Sequence, residues 1–158
     1  MNDVIFSTIK DADGNFISYS RRIGTPEFHN LTLIEFSSKY PTLPYVFIED
    51  VYVKPEFRRK GIGSKLLSKA IEANKDACIL LNAGASSLEY EDEPCEEELI
   101  RIKENLRQFY ERNGFTDVNG IFGQYQFQIP FLYTGNDVGM LVCAIINQQV
   151  KNIITYKE

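Results

Sequence analysis

The 158-residue chain reads as an α/β fold in which helices flank a β-sheet. Three observations predict this class. Tyr45 to Val53 is a β-prone run that is apolar on both faces apart from its central Glu49 and Asp50, which suits an inner strand of a covered sheet. From Gly61 the apolar spacing lengthens to about 3.6 residues, so that Ile62, Leu66, Leu67, Ala70 and Ile71 share one helical face opposite Lys65, Lys69 and Glu72. A second helical stripe follows at Leu99, Ile102, Leu106 and Phe109.

The remaining elements are read in chain order. Val4 to Ile9 and Phe16 to Ser20 alternate apolar and polar residues around Asp13-Gly14, a hairpin signal. Leu31 to Phe36 reads as a further strand before Pro41 and Pro44 interrupt. Pro55 ends the run from Tyr45, and Ala77 to Leu81 is a short apolar strand. Between Glu91 and Glu98 stand six acids, which complement the start of the second helix, and Asn113-Gly114 supplies its stop. Tyr125, Phe127, Ile129 and Phe131 alternate, but Pro130 lacks an amide donor and predicts an edge strand or a bulge. Gly135-Asn136-Asp137 is a turn, and Val138 to Ile146 fits either a strand or a buried helix. Without a repeat or linker, residues 1–158 are expected to form a single domain.

Composition narrows the function classes. A hydrophobic fraction of 44% with 13% aromatics supports a substantial core. No apolar run reaches the ~18 residues of a membrane span, and Met1-Asn2-Asp3 lacks a secretory leader's basic start. Cys78, Cys95 and Cys143 fit neither a disulfide framework nor zinc spacing, so a cytoplasmic protein is expected. His29 is the single histidine, which disfavours a His-ligated metal; no metal is expected. A net charge of −5 and a pI of about 5.0 disfavour nucleic acid as a partner and suit cationic molecules or basic peptides.

The informative segment is Arg58-Arg59-Lys60-Gly61-Ile62-Gly63, between the central strand and the first helix. Glycines let backbone amides approach a diphosphate, the helix start adds positive dipole, and the basic residues add charge at the rim. No Lys-Ser/Thr pair directly follows the second glycine, so this is not a P-loop, and it lacks the third Rossmann glycine. By itself such a turn also joins a strand to a helix with no ligand at all.

The stretch from Phe47 to Leu67 resembles the core motif of the GNAT superfamily of N-acetyltransferases: an apolar strand, then V-x-P-E-[FY]-R-x-x-G-x-G, here Val53 to Gly63, then an amphipathic helix. Phe109-Tyr110-Glu111-Arg112-Asn113-Gly114-Phe115 resembles the family's later F-Y-x-[KR]-x-G-F segment. The resemblance implies a mixed, twisted central sheet and an acetyl-CoA co-substrate. The backbone of Val51, Tyr52 and Val53 would run beside the pantetheine arm, and Arg58, Arg59, Lys60, Gly61, Ile62, Gly63 and Ser64 would hold the pyrophosphate. A splay between the central strand and the strand at Ala77 to Leu81 would seat the thioester. Homodimers are frequent in this family, so a homodimer is an expectation too.

Acetyl transfer to an amine needs a base, an oxyanion donor and an acid for the departing sulfur. An alkyl ammonium with pKa near 10.4 costs about 4–5 kcal/mol to deprotonate at pH 7, which a carboxylate base offsets. Ile48-Glu49-Asp50 and Val53 are similar to the L-E-D-x-x-V segment of spermidine/spermine-type acetyltransferases, which implies Glu49 as base and Asp50 beside the cationic acceptor. On an ideal strand these two carboxylates face opposite ways, and either one can instead cap a neighbouring loop. Tyr110 matches the family's general acid, although its place beside Phe109 also suits core packing. Val51 N–H would meet the oxyanion.

Two departures stand out. Lys103 occupies the position of a family asparagine, and residues 1–44 read as strands and turns where the family has a strand and two helices, an atypical strand-rich N-terminus. The leading expectation is an acetyl-CoA-dependent N-acetyltransferase acting on a small cationic molecule or a protein amine. The alternatives are a non-catalytic acyl-CoA-binding module and a toxin-like acetyltransferase of aminoacyl-tRNA.

Overall fold

The hairpin at the start of the chain forms as its alternation predicts, with β1 (Ile5–Lys10) antiparallel to β2 (Phe16–Ile23). In this computed structural model the described residues are 4–23, 27–28, 31–32, 44–83, 95–118, 129–144 and 147. Asp11 builds the turn. Its Oδ1 accepts the amides of Asp13 and Asn15 at 2.9 and 3.0 Å, and its Oδ2 accepts Asn15 Nδ2 at 2.9 Å. These bonds, led by the Asn15 side chain, lower the Asp11 pKa. Asn15 is fully buried, and its Oδ1 accepts the Lys54 amide at 2.8 Å, which ties the hairpin to the end of the central strand.

Two short strands, β3 (Glu27–Phe28) and β4 (Leu31–Thr32), pair with each other. The rest of the strand expected from Leu31 to Phe36, together with His29 and Pro41, lies outside the described residues.

The central strand β5 (Pro44–Tyr52) is followed by a single 3-10 turn at Pro55–Phe57 and by α1 (Ile62–Ala73). Next come β6 (Cys78–Ala83), α2 (Glu96–Arg112), β7 (Phe115–Asp117), β8 (Ile129–Tyr133) and a helix over 137–144, α3. Among the described residues the main sheet has six strands in the order β1-β2-β5-β6-β8-β7. Of these, only β5 and β6, joined through α1, run parallel; the other pairs are antiparallel. This is the mixed sheet that the motif resemblance implied.

Each face of the sheet has its own core. Ile17, Val46, Ile48, Ile79 and Leu81 meet Leu66, Leu67 and Ala70 of α1 and Tyr110 of α2. On the other face Cys78, Leu80 and Leu132 meet Val142 of α3, with Tyr45 and Phe47 packed beside them. Helices on both faces explain why β5 and β6 carry apolar side chains in both directions.

One expectation from the sequence changes and one open choice closes. The strand containing Pro130 is not an edge strand, because β8 lies between β6 and β7. Pro130 is tolerated because β7 reaches only Phe131; Pro130 is paired with Asn82 of β6 alone, and the missing amide interrupts no ladder on its other side. The open choice for Val138 onward is settled as a helix as far as residue 144. Asn136 caps it, its Oδ1 accepting the Gly139 amide at 2.7 Å. The acidic stretch before Cys95 and the residues from Tyr125 to Gln128 lie outside the described residues.

Candidate active site

The expected splay is present. β5 pairs with β6 from Tyr45↔Cys78 to Ile48↔Leu81 and no further. Among the described residues, Asp50, Val51 and Tyr52 have ladder partners on β2 alone, so this part of β5 is an edge toward β6. Backbone groups on such an edge suit an extended ligand.

A β-bulge sits at the start of this edge. Tyr19 pairs with Ile48 and Ser18 pairs with Asp50, which leaves Glu49 as the extra residue. The bulge reverses the parity of the strand. Before it, odd-numbered Tyr45 and Phe47 pack on the α3 side; after it, odd-numbered Val51 and Val53 pack on the α1 and α2 side. Glu49 and Asp50 therefore lie on the same face, and both are exposed. The ideal-strand expectation that they point apart is corrected by this one inserted residue. Glu49 Oε1 accepts a hydrogen bond from Ser20 Oγ of β2 at 3.0 Å.

The loop into α1 has the geometry of an anion cradle. Arg59 (φ 62°) and Gly61 (φ 78°) are left-handed, and space is open where a Gly61 Cβ would stand. Lys65 N donates the first helical bond, to Gly61 O at 3.1 Å, and no side chain caps Gly61. The amides of Ile62, Gly63 and Ser64 precede that bond and carry the positive end of the helix dipole. The three basic residues have different surroundings. Arg58 Nε donates to Val53 O at 3.0 Å, bracing the end of β5, and Lys60 Nζ lies 5.8 Å from the centre of the Phe57 ring. Arg59 is exposed.

Gly63 has a reason that the motif alone did not reveal. A Cβ there would stand 3.0 Å from Phe109 Cζ and 3.3 Å from Cε1, so the missing side chain admits the α2 ring against the start of α1. Asn113 reinforces that contact by donating Nδ2 to Ser64 Oγ at 3.2 Å and to Phe109 O at 2.8 Å. Ser64 is thereby held by α2 as well as by its own helix.

Tyr110 follows Phe109 on α2 and is 7% exposed. Its ring lies 5.0 Å from Phe109, 5.7 Å from Phe115 and 5.1 Å from Phe131, centroid to centroid. Burial, with a further contribution from the Asp50 carboxylate, pushes its phenol up to about 12. Tyr110 is thus packed in the core between α2 and the sheet.

Sequence reasoning missed the contacts that Ser20, Phe109 and Asn113 make with Glu49, Gly63 and Ser64. A serine in an otherwise ordinary strand carries no motif, and only the register brings it to Glu49. Among the described residues no group of three or more His, Cys, Asp or Glu side chains is placed to hold a metal ion. Nor is any described helix long and apolar enough to cross a membrane.

With this geometry in place, comparison with known proteins gives a family. The model of the GNAT acetyltransferase domain matches residues 21–117, more than half of the chain. The chain belongs to the GNAT acetyltransferases. Over 43 residues it is 44% identical to the thialysine N-epsilon-acetyltransferase of Bos taurus, a match covering 27% of this chain and 22% of that protein. The chain therefore matches only about a fifth of that relative's length. Among solved structures, Arabidopsis thaliana NAA60 in complex with a bisubstrate analogue is similar with a TM-score of 0.47 and 16% identity, over 83% of this chain and 75% of that one. The anti-CRISPR protein AcrVA5 is similar with a TM-score of 0.43 and 21% identity, over 79% of this chain and 96% of that one.

Proposed function

We propose that residues 1–158 form one acetyltransferase domain that uses acetyl-CoA to acetylate a primary amine, carried by a small cationic molecule or by a peptide. The observation that supports this most is the β5–β6 opening, with two carboxylates on its β5 wall. The residues fit a nucleotide thioester. Val51, Tyr52 and Val53 offer strand backbone to a pantetheine arm, and the amides of Ile62, Gly63 and Ser64, with Arg58, Arg59, Lys60 and Gly61 around them, suit a pyrophosphate. Acetyl-CoA supplies the activated acyl group.

The chain supplies proton handling and position. Glu49 accepts the proton that the amine must lose, and Asp50 holds a cationic acceptor beside it. Val51, on the strand segment without a β6 partner, offers its amide to the developing oxyanion. Tyr110 donates toward the departing sulfur. A phenol raised to about 12 is fully protonated at neutral pH. Complete transfer from it to a thiolate of pKa near 8.5 is uphill by roughly 3.5 units, or about 5 kcal/mol. Its role is accordingly closer to a strong hydrogen bond than to a free proton donor. A cationic acceptor at Asp50 offsets the charge that helps to raise this phenol, so acceptor binding makes Tyr110 a better donor.

Mass spectrometry of acetyl-CoA incubated with thialysine, spermidine and a lysine-containing peptide tests the reading. The expected result is one acetyl group gained by at least one amine. Acetyl-CoA binding with no acetylated product from any acceptor would instead favour an acyl-CoA-binding module.

A further inference from the structure

The base assigned above stands at an unfavourable place for precision. Glu49 is the inserted residue of a bulge, it is exposed, and it has no directly opposite partner on β2. A carboxylate there is free to adopt several rotamers unless something holds it. Ser20 does so. Its hydroxyl is fully buried, and Glu49 Oε1, 3.0 Å away, is its acceptor. Among the described residues this is the one hydrogen bond that the Glu49 carboxylate receives. The arrangement costs little, since a buried hydroxyl needs a partner in any case.

We propose that Ser20 is a positioning residue for acetyl transfer. It fixes one oxygen of Glu49 and leaves the other to take the amine proton. The proposal rests on the reading of Glu49 as base. The bulge and the serine then form one device. The bulge brings both acids to a common face, and the serine restores the order that the bulge removes.

The decisive experiment is a kinetic double-mutant cycle on the full chain, with acetyl-CoA and each of thialysine, spermidine and a lysine-containing peptide as acceptor. Ser20→Ala is expected to lower kcat about tenfold, the scale of one hydrogen bond to a charged group, with KM for acetyl-CoA changed by less than about twofold. In a Glu49→Gln background the same change is expected to cost less than about twofold. The glutamine oxygen still accepts from Ser20, so a purely structural effect of the serine would persist there. Equal losses in both backgrounds would overturn the proposal. A wild-type kcat for Glu49→Gln would overturn the base assignment itself, as would failure to turn over every acceptor. Ser20→Cys, close in size but a weak donor, repeats the cycle if Ser20→Ala does not fold. Ser20→Thr, which keeps the hydroxyl, is expected to retain most of the rate.

Discussion

Replacing Tyr110 by phenylalanine separates the packing of this residue from the chemistry of its hydroxyl. The ring contacts with Phe109, Phe115 and Phe131 remain, and only the phenol oxygen is lost. In the folded chain the phenol is pushed from 10.0 up to about 12, first by burial and then by Asp50. A raised folded pKa stabilises the protein below the unfolded value and ceases to do so as pH climbs through the folded one. That difference is worth about 3 kcal/mol in full. Roughly half of it is lost by pH 11. Urea unfolding at pH 8, 10 and 11, followed by circular dichroism, should therefore show wild type losing stability faster than Tyr110→Phe, with a gap on the order of 1 kcal/mol opening by pH 11. Parallel pH dependences would refute the claim that Tyr110 titrates from a buried position. At neutral pH the same variant should keep its fold and lose about a hundredfold in kcat, the low end of acid–base contributions, because so raised a phenol donates weakly.

Further outcomes follow from named contacts. Gly114 has φ 90° and no room for a Cβ, which would stand 2.8 Å from Tyr133 Cε1, so Gly114→Ala should destabilise by about 2–3 kcal/mol in chemical unfolding. Gly61→Ala, with equally positive φ but open space, should cost only about 1–2 kcal/mol; a larger loss would show that the loop is more crowded than described. Gly63→Val should drive Phe109 away from α1, lowering both the melting temperature and the affinity for acetyl-CoA measured by calorimetry; unchanged affinity would detach the helix contact from the loop's function. Iodoacetamide should label exposed Cys95 first and leave buried Cys78, its thiol pushed up to about 12, until the chain unfolds; peptide mapping reads the order.

Much of the donor side was legible in the sequence because its signals are local. A strand run, glycines in the required order and two amphipathic stripes need only neighbours along the chain, and β5, α1, β6 and α2 appear where these placed them. What escaped depends on contacts between distant segments. An inserted residue is defined by its partner strand, so nothing in Ile48-Glu49-Asp50 announces a bulge, and the period-two rule then sends the acids to opposite faces. Ser20 lies 29 positions before Glu49 and carries no motif. Gly63 looked like clearance for phosphate, yet its nearest neighbour is a ring 46 positions later, at Phe109. Pro130 shows the same dependence: β8 is an inner strand, yet whether its missing amide matters depends on how far β7 extends, which is a property of another strand.

The central claim is that Glu49, on the β5–β6 opening, is the base for acetyl transfer to an amine. Its most direct test is single-turnover acetyl transfer by wild type and by Glu49→Gln, at acetyl-CoA concentrations that saturate both and with the best acceptor among thialysine, spermidine and the lysine-containing peptide. Glu49→Gln is expected to bind acetyl-CoA as wild type does while its transfer step slows at least about a hundredfold. Equal transfer rates in the two proteins would contradict it.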